Sequence, residues 1–291
     1  MLLQRIITAL VLASVAITAI FTLPLDYFYP FIGLIVLIAA WEWTELSSIN
    51  SLFGKILFLA TLTFSMLFIY SWTYILELLS VLFEFPDIKT YSGALEWLVI
   101  GPVIFWVMMM LLIRQAPEEL LSLELKKRYK VFIGWFVLFS AWMFLVRLRA
   151  FYGSGAVMYF LILIWVADIS AYFAGKRFGK EKLAPLISPG KTVQGMYGAL
   201  LSALVCGIVL ALIYGYPLMI ATDFIMLSML TVLVSIYGDL FFSLVKRKNG
   251  VKDSGSILPG HGGVLDRIDS VIAAAPFYYA GIILIGRGVF S

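Results

Sequence analysis

The chain has 291 residues, 63% of them hydrophobic and 13% charged, with a formal net charge of +4 and a mean hydropathy of +1.02. Soluble domains run near half apolar and about a quarter charged, so this composition excludes that class and leaves an integral membrane protein. One cysteine, Cys206, and one histidine, His261, exclude a disulfide framework, a thiolate cluster and a multi-histidine zinc site; a metal here is held by oxygen, as magnesium or a similar hard cation is.

Apolar runs near bilayer-crossing length follow in chain order at 6–23, 28–43, 56–76, 95–113, 131–146, 157–173, 196–214, 224–245 and 268–285. They predict an all-α polytopic membrane protein with about nine transmembrane helices. The first run is long and no convincing cleavage site follows it, so it is expected to stay as an anchor rather than act as a signal peptide. Apolar character continues past the third run through Leu82 and Phe85, which reads as one long helix, a span with an interfacial turn, or two spans. No repeat and no low-complexity linker divides the chain. The expectation is one membrane domain over 1–291, with 1–150 as scaffold and 151–291 as the catalytic spans and loops.

Basic residues set the orientation. With nine spans and the N-terminus inside, the inner segments hold 17 of the 21 Lys and Arg. These are Arg5, Lys55 and three groups of five, at 114–130, 176–191 and 246–267. The outer side keeps Lys89, Arg147, Arg149 and Arg287. The bland reading of such loops is topology and contact with anionic lipid heads; it covers the 114–130 loop and leaves the other two unexplained.

Ionisable residues at membrane depth are costly and mark function. Asp168 lies inside the sixth run and Asp239 toward the inner end of the eighth. Helical spacing puts Ser235, Ser243, Lys246 and Arg247 on the Asp239 face, so a polar stripe leads to two cations at a water-facing end. Asp266 and Asp269 share a face at the start of the ninth run, where the helix dipole favours carboxylates; capping is the bland alternative. The loop between carries Gly250, Gly255, Gly260, Gly262 and Gly263, whose backbone N–H groups can approach an anion closely. Lys246, Arg247, Lys252 and Arg267 supply charge for phosphate oxygens. Carboxylates interleaved with cations suit a metal–polyphosphate site. Gly190-Lys191-Thr192 resembles the end of a P-loop, but its first glycine would fall at Pro185 and no strand precedes it. A phosphate-binding turn at a helix N-terminus remains.

Taken together, Ser243, Lys246-Arg247, Lys252-Asp253, His261-Gly262-Gly263 and Asp266-Arg267-Ile268-Asp269 resemble the signature of the phosphatidate cytidylyltransferase (CDP-diacylglycerol synthase) family. Ser188-Pro-Gly-Lys-Thr192 and the Asp168 to Tyr172 run are similar to further family features, with Gln194 where a glutamate is often found. The resemblance covers 168–270. It implies that a phosphatidate oxygen attacks the α-phosphorus of CTP and pyrophosphate leaves, at the cytoplasmic face of a bacterial inner membrane. Phosphate monoesters are largely ionised near pH 7, so the nucleophile needs no general base; charge stabilisation and positioning do the work.

On that reading Asp239 and Asp266 ligate Mg²⁺, with Asp269 as a further ligand or a partner behind one. Lys246, Arg247, Lys252 and Arg267 hold the triphosphate and the lipid phosphate. Ser243, Gly262 and Gly263 face substrate, His261 donates to phosphate or serves the fold, and Lys191 and Thr192 take the nucleotide side. Asp168 lines the polar cavity, orients Lys191 or binds a second cation. The partners expected are CTP, phosphatidic acid and membrane lipids, with no nucleic acid, and the resemblance suggests a homodimer. A CTP-dependent polyprenol or lipid kinase would use a similar phosphate site. A secondary transporter would be expected to show paired halves with interrupted helices, whereas these motifs lie in the second half.

Overall fold

A computed structural model describes residues 2–83 and 88–286; Phe85 and Arg287 lie outside the described residues. Ten α-helices follow in order: α1 (Leu2–Thr22), α2 (Leu25–Leu46), α3 (Leu52–Tyr70), α4 (Trp72–Phe83), α5 (Ile100–Gln115), α6 (Pro117–Ser122), α7 (Lys127–Phe178), α8 (Val193–Tyr214), α9 (Leu218–Lys248) and α10 (Leu265–Ile285). A 3₁₀ segment, Ile88–Val99, leads into α5, and a hairpin of β1 (Lys182–Ala184) and β2 (Ser188–Thr192) precedes α8. The all-α expectation holds apart from this hairpin.

Among the described residues, seven helices are long and apolar enough to cross a membrane: Leu25–Leu46, Leu52–Tyr70, Leu95–Gln115, Lys127–Phe178, Val193–Tyr214, Leu218–Lys248 and Leu265–Ile285. The protein is therefore a multi-pass membrane protein. The nine expected runs map onto nine helices, the third taking two and the fifth and sixth sharing α7; the seven that qualify leave out α1 and α4. The third run resolves into α3 and α4, which break at Ser71. The fifth and sixth runs fuse into the 52-residue α7, whose arms meet at Gly153 with φ 81° and ψ −178°. That conformation is essentially open to glycine alone. Each arm is about 37 Å long by the helical rise, enough for a hydrocarbon core of about 30 Å.

Burial sorts the helices. Of the apolar window, 56% is buried within the protein in α7 and α10, against 17% in α3 and 28% in α8. The first pair forms the centre, and the second pair turns apolar side chains such as Phe64 and Leu212 outward, as lipid-facing helices do. Small residues let the central backbones close up. A Cβ on Gly238 would lie 2.3 Å from Ala273 Cβ and 3.3 Å from the Asp269 carbonyl oxygen, so α9 and α10 touch where Asp239 and Asp269 sit. A Cβ on Gly198 would lie 2.4 Å from Ala174 Cβ, which draws α8 against α7 beside Asp168.

Arg147, at the far end of the bundle, lies 3.6 Å from Glu96 Oε1 and donates to Tyr279 Oη at 3.3 Å. By the helical rise Tyr279 is about 20 Å along α10 from Asp266. Arg147, assigned outward and carried by α7, thus meets α10 far from the carboxylates at its start.

Candidate active site

Four elements converge at the N-terminal end of α10. The α9 carboxylate Asp239 accepts from Ser243 Oγ at 3.3 Å and faces Lys191 Nζ at 2.6 Å. Lys191 is brought there by β2, and its ammonium also donates to the Ile236 carbonyl at 3.3 Å. Thr192 ends the strand and caps α8, its Oγ1 accepting from Gly195 N at 3.1 Å. Gly190-Lys191-Thr192 is therefore the outgoing strand of a hairpin followed directly by a capped helix. The expectation of no strand at this motif is corrected, and the P-loop geometry is absent. Gln194 Oε1 accepts from Lys180 N and Glu181 N at 2.9 and 3.2 Å, tying the hairpin's incoming chain to α8.

The second pair is Lys246 and Asp266, with Nζ 2.6 Å from Oδ1 and side chains 11% and 4% exposed. Asp266 Oδ2 accepts from Ser254 N at 2.8 Å and Gly263 N at 3.0 Å. The Lys246–Arg247 pair was expected at a water-facing helix end. Lys246 is instead buried, because the glycine-rich loop folds over it to deliver Asp266; only Arg247 is exposed. The Arg247 guanidinium donates to the Ile187 and Val251 carbonyls, each at 3.4 Å. Asp269 is buried and accepts from Ser270 N at 2.8 Å.

These groups line two adjoining cavities. One, of about 240 Å³, is walled by Asp168, Asp239, Lys246, Asp253, Asp266, Arg267, Asp269 and Ser270 with Ile164, Trp165 and Val271. The other, of about 450 Å³, is walled by Lys176, Lys182, Lys191 and Thr192 with Ala171, Tyr172, Leu183 and Met196. Asp168 and Asp239 belong to both walls. Seven of the eleven residues around the first cavity are ionisable, whereas the second mixes lysines with apolar surface.

The sequence signature of the cytidylyltransferase family matches residues 3–285. This chain belongs to that family. It is 38% identical to a phosphatidate cytidylyltransferase of Pseudomonas aeruginosa, over 99% of both chains. It is 35% identical to one of Haemophilus influenzae, over 96% of this chain and 97% of that one. A phosphatidate cytidylyltransferase of Bacillus subtilis is 45% identical across 44% of this chain and 47% of its own.

In this cytidylyltransferase, Asp168, Asp239, Lys246, Asp266, Arg267, Asp269, Lys191 and Thr192 all reach the cavity walls. Ser243 reaches Asp239 instead. Lys252 is exposed on the loop, and His261, half-buried in the Leu258–Gly262 turn, has an Nδ1 with no hydrogen-bond partner among the described residues. Gly262 and Gly263 lie against carboxylates of the protein itself. A Cβ on Gly262 would lie 2.8 Å from Asp266 Oδ2, and one on Gly263 2.3 Å from Glu42 Oε2. Among the described residues no group of three or more His, Cys, Asp or Glu side chains forms a ready-made metal cage.

Glu42, on α2, was not singled out by the sequence reading. It is 2% exposed and accepts from Val264 N at 2.9 Å, Leu265 N at 2.8 Å and Ser254 Oγ at 2.8 Å. The signal was available: an acid inside an apolar run, Trp41-Glu42-Trp43, is the same mark that drew attention to Asp168 and Asp239.

Proposed function

We propose that this cytidylyltransferase joins CTP to phosphatidic acid, forming CDP-diacylglycerol and releasing pyrophosphate for phospholipid synthesis. The observation that carries the reading is the pair of adjoining cavities that share Asp168 and Asp239 while each brings its own lysine, Lys246 to one and Lys191 to the other. Two anionic substrates that must meet at one phosphorus need two adjoining compartments with cations on each side. The names of the similar bacterial proteins and the family match support the same assignment.

The bond-making oxygen is that of the lipid phosphate. It forms a bond to the α-phosphorus of CTP as the bond from that phosphorus to the β-phosphate oxygen breaks, and the electron pair leaves with pyrophosphate. Lys191 and Lys246 are held by carboxylates at 2.6 Å, so both ammoniums are placed before an anion arrives, which avoids reorganisation during the step. Arg267, exposed at the rim of the smaller cavity, and Lys252 meet the phosphates on entry. His261 lines neither cavity, and its hydrogen bond to phosphate is proposed from the family resemblance.

The donor set around the smaller cavity is oxygen alone, which suits magnesium. Asp239 and Asp266, with Asp269 beside them, would hold it. Bound there, it would supply positive charge against the triphosphate. We place the site at the cytoplasmic face of the inner membrane, because that assignment puts the basic loops inside and gives access to CTP. A homodimer is proposed from the family resemblance alone.

The test is purified protein in detergent with CTP, phosphatidic acid and Mg²⁺. Pyrophosphate and CDP-diacylglycerol in equal amounts are expected. Release of CDP with phosphorylation of the lipid would identify a kinase and overturn the assignment.

A further inference from the structure

We infer that Glu42 is a positioning residue for the reaction, and that the active site is complete only with α2 in place. The inference rests on the cytidylyltransferase reading of the site. Two carboxylates staple the same two turns of the loop between α9 and α10. Ser254 gives its backbone N–H to Asp266 and its hydroxyl to Glu42. Gly263 N donates to Asp266, and the next two amides, Val264 N and Leu265 N, donate to Glu42. Asp266 therefore owes its orientation to turns that Glu42 closes from the opposite side.

The packing is specific to a carboxylate in this place. A Cβ on Gly255 would lie 2.8 Å from Glu42 Oε1 and one on Gly263 2.3 Å from Glu42 Oε2, so the loop passes at backbone distance on both sides. Three donors around two oxygens would leave a carboxamide with an N–H aimed at an N–H or hydroxyl; Glu42 Oε1 takes Val264 N while Oε2 takes the other two. The next residue fixes the height of Glu42. Trp43 wedges against Gly134 of α7, where a Cβ would lie 1.7 Å from its Nε1. Its ring stacks on Phe241 with centroids 6.4 Å apart, and its N–H donates to the Lys130 carbonyl at 3.1 Å. Glu42 thus links α2, α7 and α9 to the N-terminus of α10 and the Asp266 it carries.

The test is steady-state kinetics and thermal unfolding of Glu42→Gln, with Glu45→Gln as control. Glu45 lies on the same helix but is exposed, 3.1 Å from Lys55 Nζ. Partners that orient active-site carboxylates typically cost about tenfold to a hundredfold when removed. The expected result for Glu42→Gln is a fall in kcat of about that size, with folded protein recovered, the KM for CTP close to wild type and Glu45→Gln unchanged. A carboxylate with only a structural role would lower yield and unfolding midpoint while the surviving enzyme kept its kcat, and that result would overturn the inference. If Glu42→Gln cannot be recovered folded, Ser254→Ala decides: it removes one donor to Glu42 and leaves the amides. A several-fold lower kcat supports the inference, and a normal kcat sinks it. Wild-type protein that released no pyrophosphate would instead count against the function proposed above.

Discussion

Lys191 Nζ sits 2.6 Å from Asp239 Oδ2, so a short hairpin before α8 reaches the middle of the polar stripe on α9. The sequence reading paired Lys191 with Asp168 as one option; the structure gives it to Asp239, with Asp168 on the walls of both cavities beside them. Lys191→Gln should lower kcat/KM for pyrophosphate release by at least about tenfold, the size of a lost charge-assisted contact of about 1.5–3 kcal/mol. Combined with Asp239→Asn it should cost no more than Asp239→Asn alone, because the two act as a unit. Full additivity in the double-mutant cycle would separate them.

Asp239→Asn and Asp266→Asn keep side-chain size and remove the charge that would hold a metal. Each should abolish turnover at saturating Mg²⁺ while the protein still inserts and purifies, and the pair should be no worse than either. Asp223→Asn is the control: Asp223 is exposed in the first turns of α9, about 24 Å along the helix from Asp239 by its rise. Near-normal turnover in Asp239→Asn would remove the metal assignment.

Lys246 and Arg247, two of the three cations in the last turn of α9, should behave differently. Lys246 is buried against Asp266, and stripping one partner from a buried pair costs about 3–5 kcal/mol. Arg247 is exposed and contacts two carbonyls at 3.4 Å. Lys246→Ala should therefore lower the unfolding midpoint in detergent well below that of Arg247→Ala. Equal midpoints would place Lys246 outside the supporting network.

Gly153→Ala isolates backbone strain. No atom lies within 4 Å of a Cβ there, so the whole cost comes from forcing φ 81° and ψ −178° on alanine, about 1–3 kcal/mol. Differential scanning fluorimetry should show a lowered midpoint. An unchanged one would mean the arms of α7 can join through another conformation.

Reporter fusions after Lys182 and after Tyr216 flank α8 alone and should report opposite sides of the membrane. Signals from one side would remove α8 from the set of crossing helices.

How much of this was legible follows from where each signal lives. Apolar runs gave the helices because lipid-facing and core-facing surfaces are both apolar. They could not show that 131–146 and 157–173 belong to one helix, since a single glycine torsion at Gly153 makes the joint. Charge at membrane depth picked out Asp168, Asp239, Asp266 and Asp269, which share a cavity wall. Which lysine meets which aspartate depends on the folding of the hairpin and the glycine-rich loop, and spacing along a helix says nothing about that. Lys246 reads as water-facing from its place at the end of α9, and only the loop folded back over it makes it buried. Glu42 is marked in the sequence only by its place in an apolar run, because its donors come from 212 or more residues away.

That separation has a consequence for biogenesis. Glu42 leaves the ribosome 212 residues ahead of Ser254, an interval of roughly 10–40 s at about 5–20 residues per second. Throughout it, a carboxylate near the end of an inserted apolar helix has none of the three native donors that later surround it. A chain that stalls or is cut before residue 254 never gains any of those donors. Closure of the loop between α9 and α10 and the pairing of Glu42 are the same event.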